Sequence, residues 1–194
     1  MQTGTPTTVT ILDAAERITQ AVGYNGLSFR DVAQAAGIRS ASVHYHFPTK
    51  GHLGAALARR YADRLCEHLR EAEAHGSDAA RLLELFVGIF RATLLEDGKM
   101  CLCGMLAAEI DALPLEVRAE VRRFISMSID WLSAVLAKAA AQPEQAAPAF
   151  RGRAQALFAA LEGAMLVARA LGDVAVFDSI TAELQRAGMM APDG

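Results

Sequence analysis

Ser40, Ser42, His44, Tyr45 and His46 fall within seven residues, between Gly37 and Pro48. Hydroxyl, imidazole and phenol groups crowded onto so short a segment suit phosphate oxygens and the base edges of a major groove. Lys50 follows at the start of the next expected helix, where an ammonium and free backbone amides can together hold a phosphate. A second group with chemistry of its own is Cys101-Leu102-Cys103, two thiols beside Lys99. A helix N-terminus and a nearby ammonium favour thiolate, so electrophile or oxidant sensing is an alternative reading centred on these two residues. No histidine lies near them in sequence, so no metal site is expected. There is no His-Glu-x-x-His, no Ser-His-Asp order and no Gly-rich phosphate loop after a strand, so neither an enzyme nor a cofactor is expected.

The elements that must position these groups read as helices throughout. Of 194 residues, 53% are hydrophobic and only 6% aromatic, and no stretch alternates with period two. Such a chain can bury a full core without disulfides, and its three cysteines form no spaced pairs of the zinc-ribbon kind. A formal charge of −3, from 19 basic and 22 acidic side chains, excludes wholesale coating of nucleic acid but not a local reading head. The N-terminus lacks a basic region followed by an apolar run, and no window holds 18 apolar residues free of charge. A soluble protein of a reducing, cytoplasmic compartment, with no membrane partner, is the expectation.

Apolar residues at helical spacing predict a first helix over 9–22, ended by Gly23-Tyr24-Asn25-Gly26. Ser28, with Asp31 three residues on, predicts a capped second helix that Gly37 stops. A third short helix is expected over 40–46 and a long fourth over 50–74. Further helices are expected from Ser77-Asp78, over 100–111, and from Pro114 to about 141. A loop over 142–148 and two closing helices, 149–171 and 174–187, complete an all-α chain of eight or nine helices. Ala33 gives the small residue a helix-turn-helix needs where its helices touch. Gly37 gives the turn, and Val32, Ala36, Ile38 and Val43 give the inward anchors.

The run from Ile11 to Lys50 resembles the TetR family of bacterial one-component transcriptional regulators. The likeness is carried by Gly23-Tyr24-Asn25-Gly26, Leu27 to Ala33, Ala36-Gly37-Ile38, Ser42 to Phe47 and Lys50. It implies a three-helix DNA-binding head over residues 1–48 and a helical ligand-binding and dimerisation domain over 49–194. Arg30, Ser40, Ser42, His44, Tyr45 and His46 would then face operator DNA, and Lys50 would contact a phosphate. His44 stands where many members carry a tyrosine. Function would be that of a homodimeric regulator, most simply a repressor released from double-stranded operator DNA by a small-molecule effector. The helix over 50–74 would carry the ligand domain's state to the head.

The remainder of the chain supplies soft apolar groups at inward-facing spacing. Phe86, Phe90, Met105, Met127, Trp131 and Met165 are candidates to line an effector cavity, with Glu109 to orient the ligand. On the last two helices, Leu157, Leu161 and Met165, then Ile180 and Leu184, are the candidate dimer seam.

Overall fold

Capping residues and glycines set the helix boundaries. The computed structural model describes residues 7–96, 98–141 and 144–190. Among them the chain forms nine α-helices: α1 (Thr7–Val22), α2 (Phe29–Ala35), α3 (Ser40–His46), α4 (Lys50–Ala74), α5 (Ala79–Leu95), α6 (Leu102–Ala108), α7 (Leu115–Ala139), α8 (Arg151–Leu171) and α9 (Val174–Arg186). No strand occurs among the described residues. Asp78 caps α5 by accepting from the Arg81 amide, and Asp173 caps α9 by accepting from Ala175. Gly172 ends α8 in the left-handed conformation. Of the expected loop over 142–148, residues 142 and 143 lie outside the described residues. The rest forms part of a 3-10 turn, Glu144–Phe150.

The chain divides into two compact units, Met1–Asp63 with Leu102–Phe124, and Arg64–Cys101 with Ile125–Gly194. The boundary expected after residue 48 does not coincide with either. The first half of α4 and the segment from α6 into α7 belong with the N-terminal helices. The reason is charge and packing: Arg60 on α4 pairs with Asp13 (2.7 Å) and Glu16 (2.8 Å) of α1. Arg59 and Arg123 share Glu120, and Arg123 also meets Asp63 at 2.8 Å. Ile11, Val32, Val43, Leu53, Leu106 and Val117 are among the buried residues of this unit.

In the second unit α8 packs against α5 and α9. Its inward face is Ala154, Leu157, Phe158, Leu161, Ala164, Met165 and Ala168. Arg91 of α5 holds Asp178 of α9 through two hydrogen bonds, 2.7 and 2.9 Å. The stretch Ala146–Leu171 is long and apolar enough to cross a bilayer by composition. Its apolarity serves two faces of one helix, the inward face just named and an exposed one carrying Leu166, Val167 and Leu171.

One polar group in this unit is anomalous. Both carboxylate oxygens of Glu162, on α8, are buried and accept no hydrogen bond from an amide, guanidinium or ammonium group. Burial pushes the carboxyl up to about 7, and the Cys101 thiol, a weak donor, offsets part of that rise. Below its ordinary value of 4.5 the carboxyl is protonated in folded and unfolded chains alike. Above that value the unfolded chain ionises first, so this group lowers stability as pH rises from about 4.5 to about 7. The effect levels off beyond, at about 3 kcal/mol. Urea denaturation at pH 5 and pH 8 should show wild type losing about that much more than Glu162→Gln. Parallel profiles for the two proteins would refute this.

Candidate nucleic-acid interface

The helix-turn-helix begins at Ser28. Its Oγ accepts from the Asp31 amide at 3.2 Å and donates to the Asp31 carboxylate at 2.5 Å. The expected reciprocal cap is present in altered form, since Asp31 returns its bond to the hydroxyl. After α2, Gly37 adopts φ +66°, and Ile38 N–H donates back to the Ala33 carbonyl at 3.0 Å. The glycine admits the left-handed turn that a side chain would strain. Ala33 is buried, as is Val32.

α3 keeps only Val43 buried, so its other six residues, Ser40, Ala41, Ser42, His44, Tyr45 and His46, stand at or near the surface. Two of the rings are held from behind. His44 meets Phe29 of α2 edge-on, with centroids 4.5 Å apart. The His46 ring lies 3.2 Å from Thr8 Oγ1 of α1 through Nδ1, and it abuts Tyr45 at 5.3 Å. Tyr45 itself is 84% exposed. A large amphipathic ring, fixed at its edge and open at its face, is prepared to contact a partner at little entropic cost. Arg30 is exposed on α2, with a loose pairing to Asp31 at 3.6 Å. Asp13 and Glu16 are engaged by Arg60, while Arg17 and Arg39 are exposed.

Lys50 is placed differently from its neighbours. Its ammonium lies 4.4 Å over the Tyr24 ring and 3.4 Å from the Asn25 carbonyl oxygen. Burial lowers its pKa, and the Glu109 charge opposes that shift. Lys50 is therefore partly committed to the α1–α2 turn rather than extended into solvent. The same turn draws in Glu109, whose Oε1 accepts from the Tyr24 amide (3.0 Å) and Oε2 from the Asn25 amide (2.9 Å). Glu109 thus belongs to the head, contrary to its expected place beside a ligand. Desolvation and the charge of Glu116 push the Tyr24 phenol up to about 12, so it stays protonated. The contacts that Tyr24, Thr8 and Glu109 make in the head carry no local sequence signal, because their partners lie 25 to 85 residues away.

The expected cavity residues divide between the units. Met105 and Glu109 fall in the first, and Phe86, Phe90, Met127, Trp131 and Met165 in the second. Phe86 stacks on Trp131 (5.4 Å) and meets Phe90 at 5.3 Å, so these three do come together. Met165 is buried on α8, and Met127 is half-buried on α7. The expected seam also needs correction. Leu157, Leu161 and Met165 are 0% exposed within the single chain, because α8 turns that face to its own unit. Ile180 and Leu184 are half-buried. The open apolar surface of α8 is instead Leu166, Val167 and Leu171, with Gly163 a turn earlier. Cys101 and Cys103 are both buried, and the Lys99 ammonium is occupied by Glu96 at 3.0 Å. No metal-holding cluster of His, Cys, Asp or Glu occurs among the described residues.

A short, outward-facing second helix on a capped and glycine-turned pair defines a helix-turn-helix DNA-binding protein. The sequence model described as "Bacterial regulatory proteins, tetR family" matches residues 11–57. A TetR-family transcriptional regulator from Agrobacterium tumefaciens is 33% identical, over 93% of this chain and 96% of that one, with a TM-score of 0.82. A TetR transcriptional regulator from Legionella pneumophila superimposes with a TM-score of 0.87 at 29% identity, over 96% and 99% of the two chains. The chain belongs to the TetR family of bacterial transcriptional regulators. The repressor KstR2 of Rhodococcus jostii (strain RHA1) is 35% identical over 77 residues, 40% of this chain and 38% of that protein. The match therefore spans well under half of that curated relative. Regulators of this family act as dimers on operator DNA and answer to small molecules.

Glu109 makes Gly23 harder to replace than Gly37. Gly23 has φ +77°, and a Cβ there would lie 1.9 Å from Glu109 Oε1, whereas at Gly37 a Cβ meets nothing within 4 Å. Gly37→Ala should cost about 1 kcal/mol, the left-handed strain alone. Gly23→Ala should cost roughly 1–3 kcal/mol more, because the carboxylate must also leave its two amides. Chemical denaturation of the two variants checks the order, and equal losses would contradict it.

Proposed function

We propose that the protein is a homodimeric repressor that binds double-stranded operator DNA through α3 and leaves it when a small-molecule effector binds. The carrying observation is α3 itself, seven residues with one buried and Tyr45 almost wholly exposed on a braced ring pair. A helix that gives up nearly all its surface to solvent, while its rings are pinned from behind, is built for an external partner. Ser40, Ser42, His44, Tyr45 and His46 face that partner from α3, and Arg30 reaches it from α2. Lys50 acts mainly by bracing the α1–α2 turn and secondarily as a phosphate contact. The Rhodococcus relative is a named repressor, which supports repression as the sense of regulation. A cytoplasmic site of action follows from operator binding.

The dimer seam is placed on the exposed stripe of α8, Gly163, Leu166, Val167 and Leu171, with α9 beside it. Leu166 and Leu171 are 60% and 66% exposed, and a contiguous apolar face of this kind marks an association surface. The effector is read as non-covalent: both candidate sensor thiols are buried and the neighbouring ammonium is paired. The second unit holds the effector on the side of the Phe86, Phe90 and Trp131 rings.

On DNA, Tyr45→Ala should leave thermal stability unchanged and weaken binding at least tenfold. Arg30→Ala should reduce the salt slope of binding by about one, the share of one phosphate contact. Anisotropy titrations at two salt concentrations, on a duplex selected from a random library, measure both. Affinities and slopes equal to wild type would remove α2 and α3 from the interface.

For assembly, Val167→Glu should yield a folded monomer by sedimentation and circular dichroism. Leu161→Glu should instead unfold the chain, since it places a charge in the core at a cost of several kcal/mol. A Val167→Glu protein that remains dimeric would move the seam elsewhere.

A further inference from the structure

The rings of the second unit form a chain. Trp131 stacks on Phe86, Phe86 meets Phe90, and Phe90 meets Phe158 edge-on at 6.2 Å. The Trp131 indole N–H is held by Glu73 at 2.8 Å, which fixes one end of this series. Phe158 lies on α8 one turn before Glu162, and Met165 lies nearly one turn after it. Both are buried, so inward residues bracket the carboxyl along the helix. Both Glu162 oxygens are sealed from solvent with no amide, guanidinium or ammonium donor, and the Cys101 thiol, a weak donor, is the polar group that acts on them.

Other poorly exposed carboxylates in this protein are given donors. Glu16 has Arg60, Glu120 has Arg59 and Arg123, and Glu109 has two backbone amides. A sealed carboxyl with no such donor weakens the fold whenever it ionises, and a glutamine or methionine would pack there without that cost. Its missing partner is a group that arrives from outside. A cation satisfies the position best. It turns the carboxyl's ionisation into an attraction, and aromatic faces attract cations as well. An anion meets repulsion instead.

We propose that Glu162 anchors the effector of this regulator, and that the effector is a small organic cation: an amine or ammonium on an apolar or aromatic body. The nitrogen meets the Glu162 carboxylate, and the body packs on the rings of Phe90 and Phe158. When an amine cation binds, any proton on Glu162 passes to water, leaving one carboxylate against one ammonium. This assignment rests on the regulator reading above and adds the chemical class of its ligand.

The test uses three probes of one shape and different charge: benzylamine, benzyl alcohol and benzoate. The chain has a single tryptophan, Trp131, so its fluorescence reports binding at the ring cluster without DNA. Wild type should bind benzylamine at least tenfold tighter than benzyl alcohol and should not bind benzoate. Glu162→Gln should lose tenfold or more for benzylamine and keep its affinity for the alcohol. Should that variant not fold, ¹³C NMR of the wild-type carboxyl replaces it, and the Glu162 resonance should move to its ionised position as benzylamine saturates. Equal binding of amine and alcohol, tighter binding of benzoate, no binding of any probe, or an unmoved Glu162 resonance would each overturn the assignment. DNA titration of the probe-free protein is read separately. Failure there sinks the regulator reading and leaves amine binding standing, whereas failure of the probes leaves DNA binding standing.

Discussion

The head depends on one carboxylate. Glu109 accepts from two consecutive amides, Tyr24 and Asn25, at the point where α1 has ended and α2 has not begun. A turn of that kind leaves backbone donors with no helical acceptor, and a charged acceptor stabilises each by about 1.5–3 kcal/mol where water is kept off. Asn25 is exposed, so its share lies at the low end. The rest of the turn is arranged around this. Gly23 leaves room for the carboxylate, the Tyr24 ring carries the Lys50 ammonium, and Asn25 gives that ammonium its carbonyl. Lys50 opens α4, so the start of that helix is tied to the same few atoms. Glu109 directly follows α6, and α6 directly follows Cys101, the last residue of its segment of the second unit.

α3 shows how little of a helix must be buried when its neighbours are rigid. Seven residues are too few to hold a helix in water alone. Val43 and Phe47 anchor it, and Phe29 and Thr8 fix two of its rings. The charge of the head is arranged by the same economy. Arg60 occupies the acids of α1, and Arg59 and Arg123 occupy Glu120, which leaves Arg17, Arg30 and Arg39 exposed. An acidic chain can present a locally basic surface in this way.

Much of this was legible in the sequence because it is local. Ser28 with Asp31, Gly37, and the spacing of Val32, Ala33 and Val43 act within a few residues, and α2 and α3 follow those signals closely. The effector side was less legible, for a physical reason. α8 is apolar nearly all round, so periodicity marks a helix but cannot say which face turns inward. Leu157, Leu161 and Met165 fill their own core, and the open stripe lies on the other side. Glu109 misled for a related reason: a carboxylate beside apolar neighbours looks like a ligand group until its amide partners, some 85 residues earlier, are seen. Glu162 carries no sequence signal at all, since nothing in Leu161-Glu162-Gly163 tells a buried glutamate from a solvated one.

Glu162 and the open stripe share one rigid element, and that has a mechanical consequence. Successive residues on a helix are turned by about 100°, so Glu162 sits at the margin between the core face and the face of Gly163, Leu166 and Val167. Well-packed helices move as bodies rather than bend locally, because interiors tolerate added volume poorly. A cation seated at Glu162 must therefore displace Phe158 and Met165 or displace α8. Displacing α8 shifts the proposed seam with it. In the proposed dimer the two heads have a spacing set through that seam, and a DNA half-site tolerates little change in it. A ligand need not reach the head to release it, provided it binds one spacing better than the other. The differential affinity, and not the distance from the DNA, sets how far the population moves.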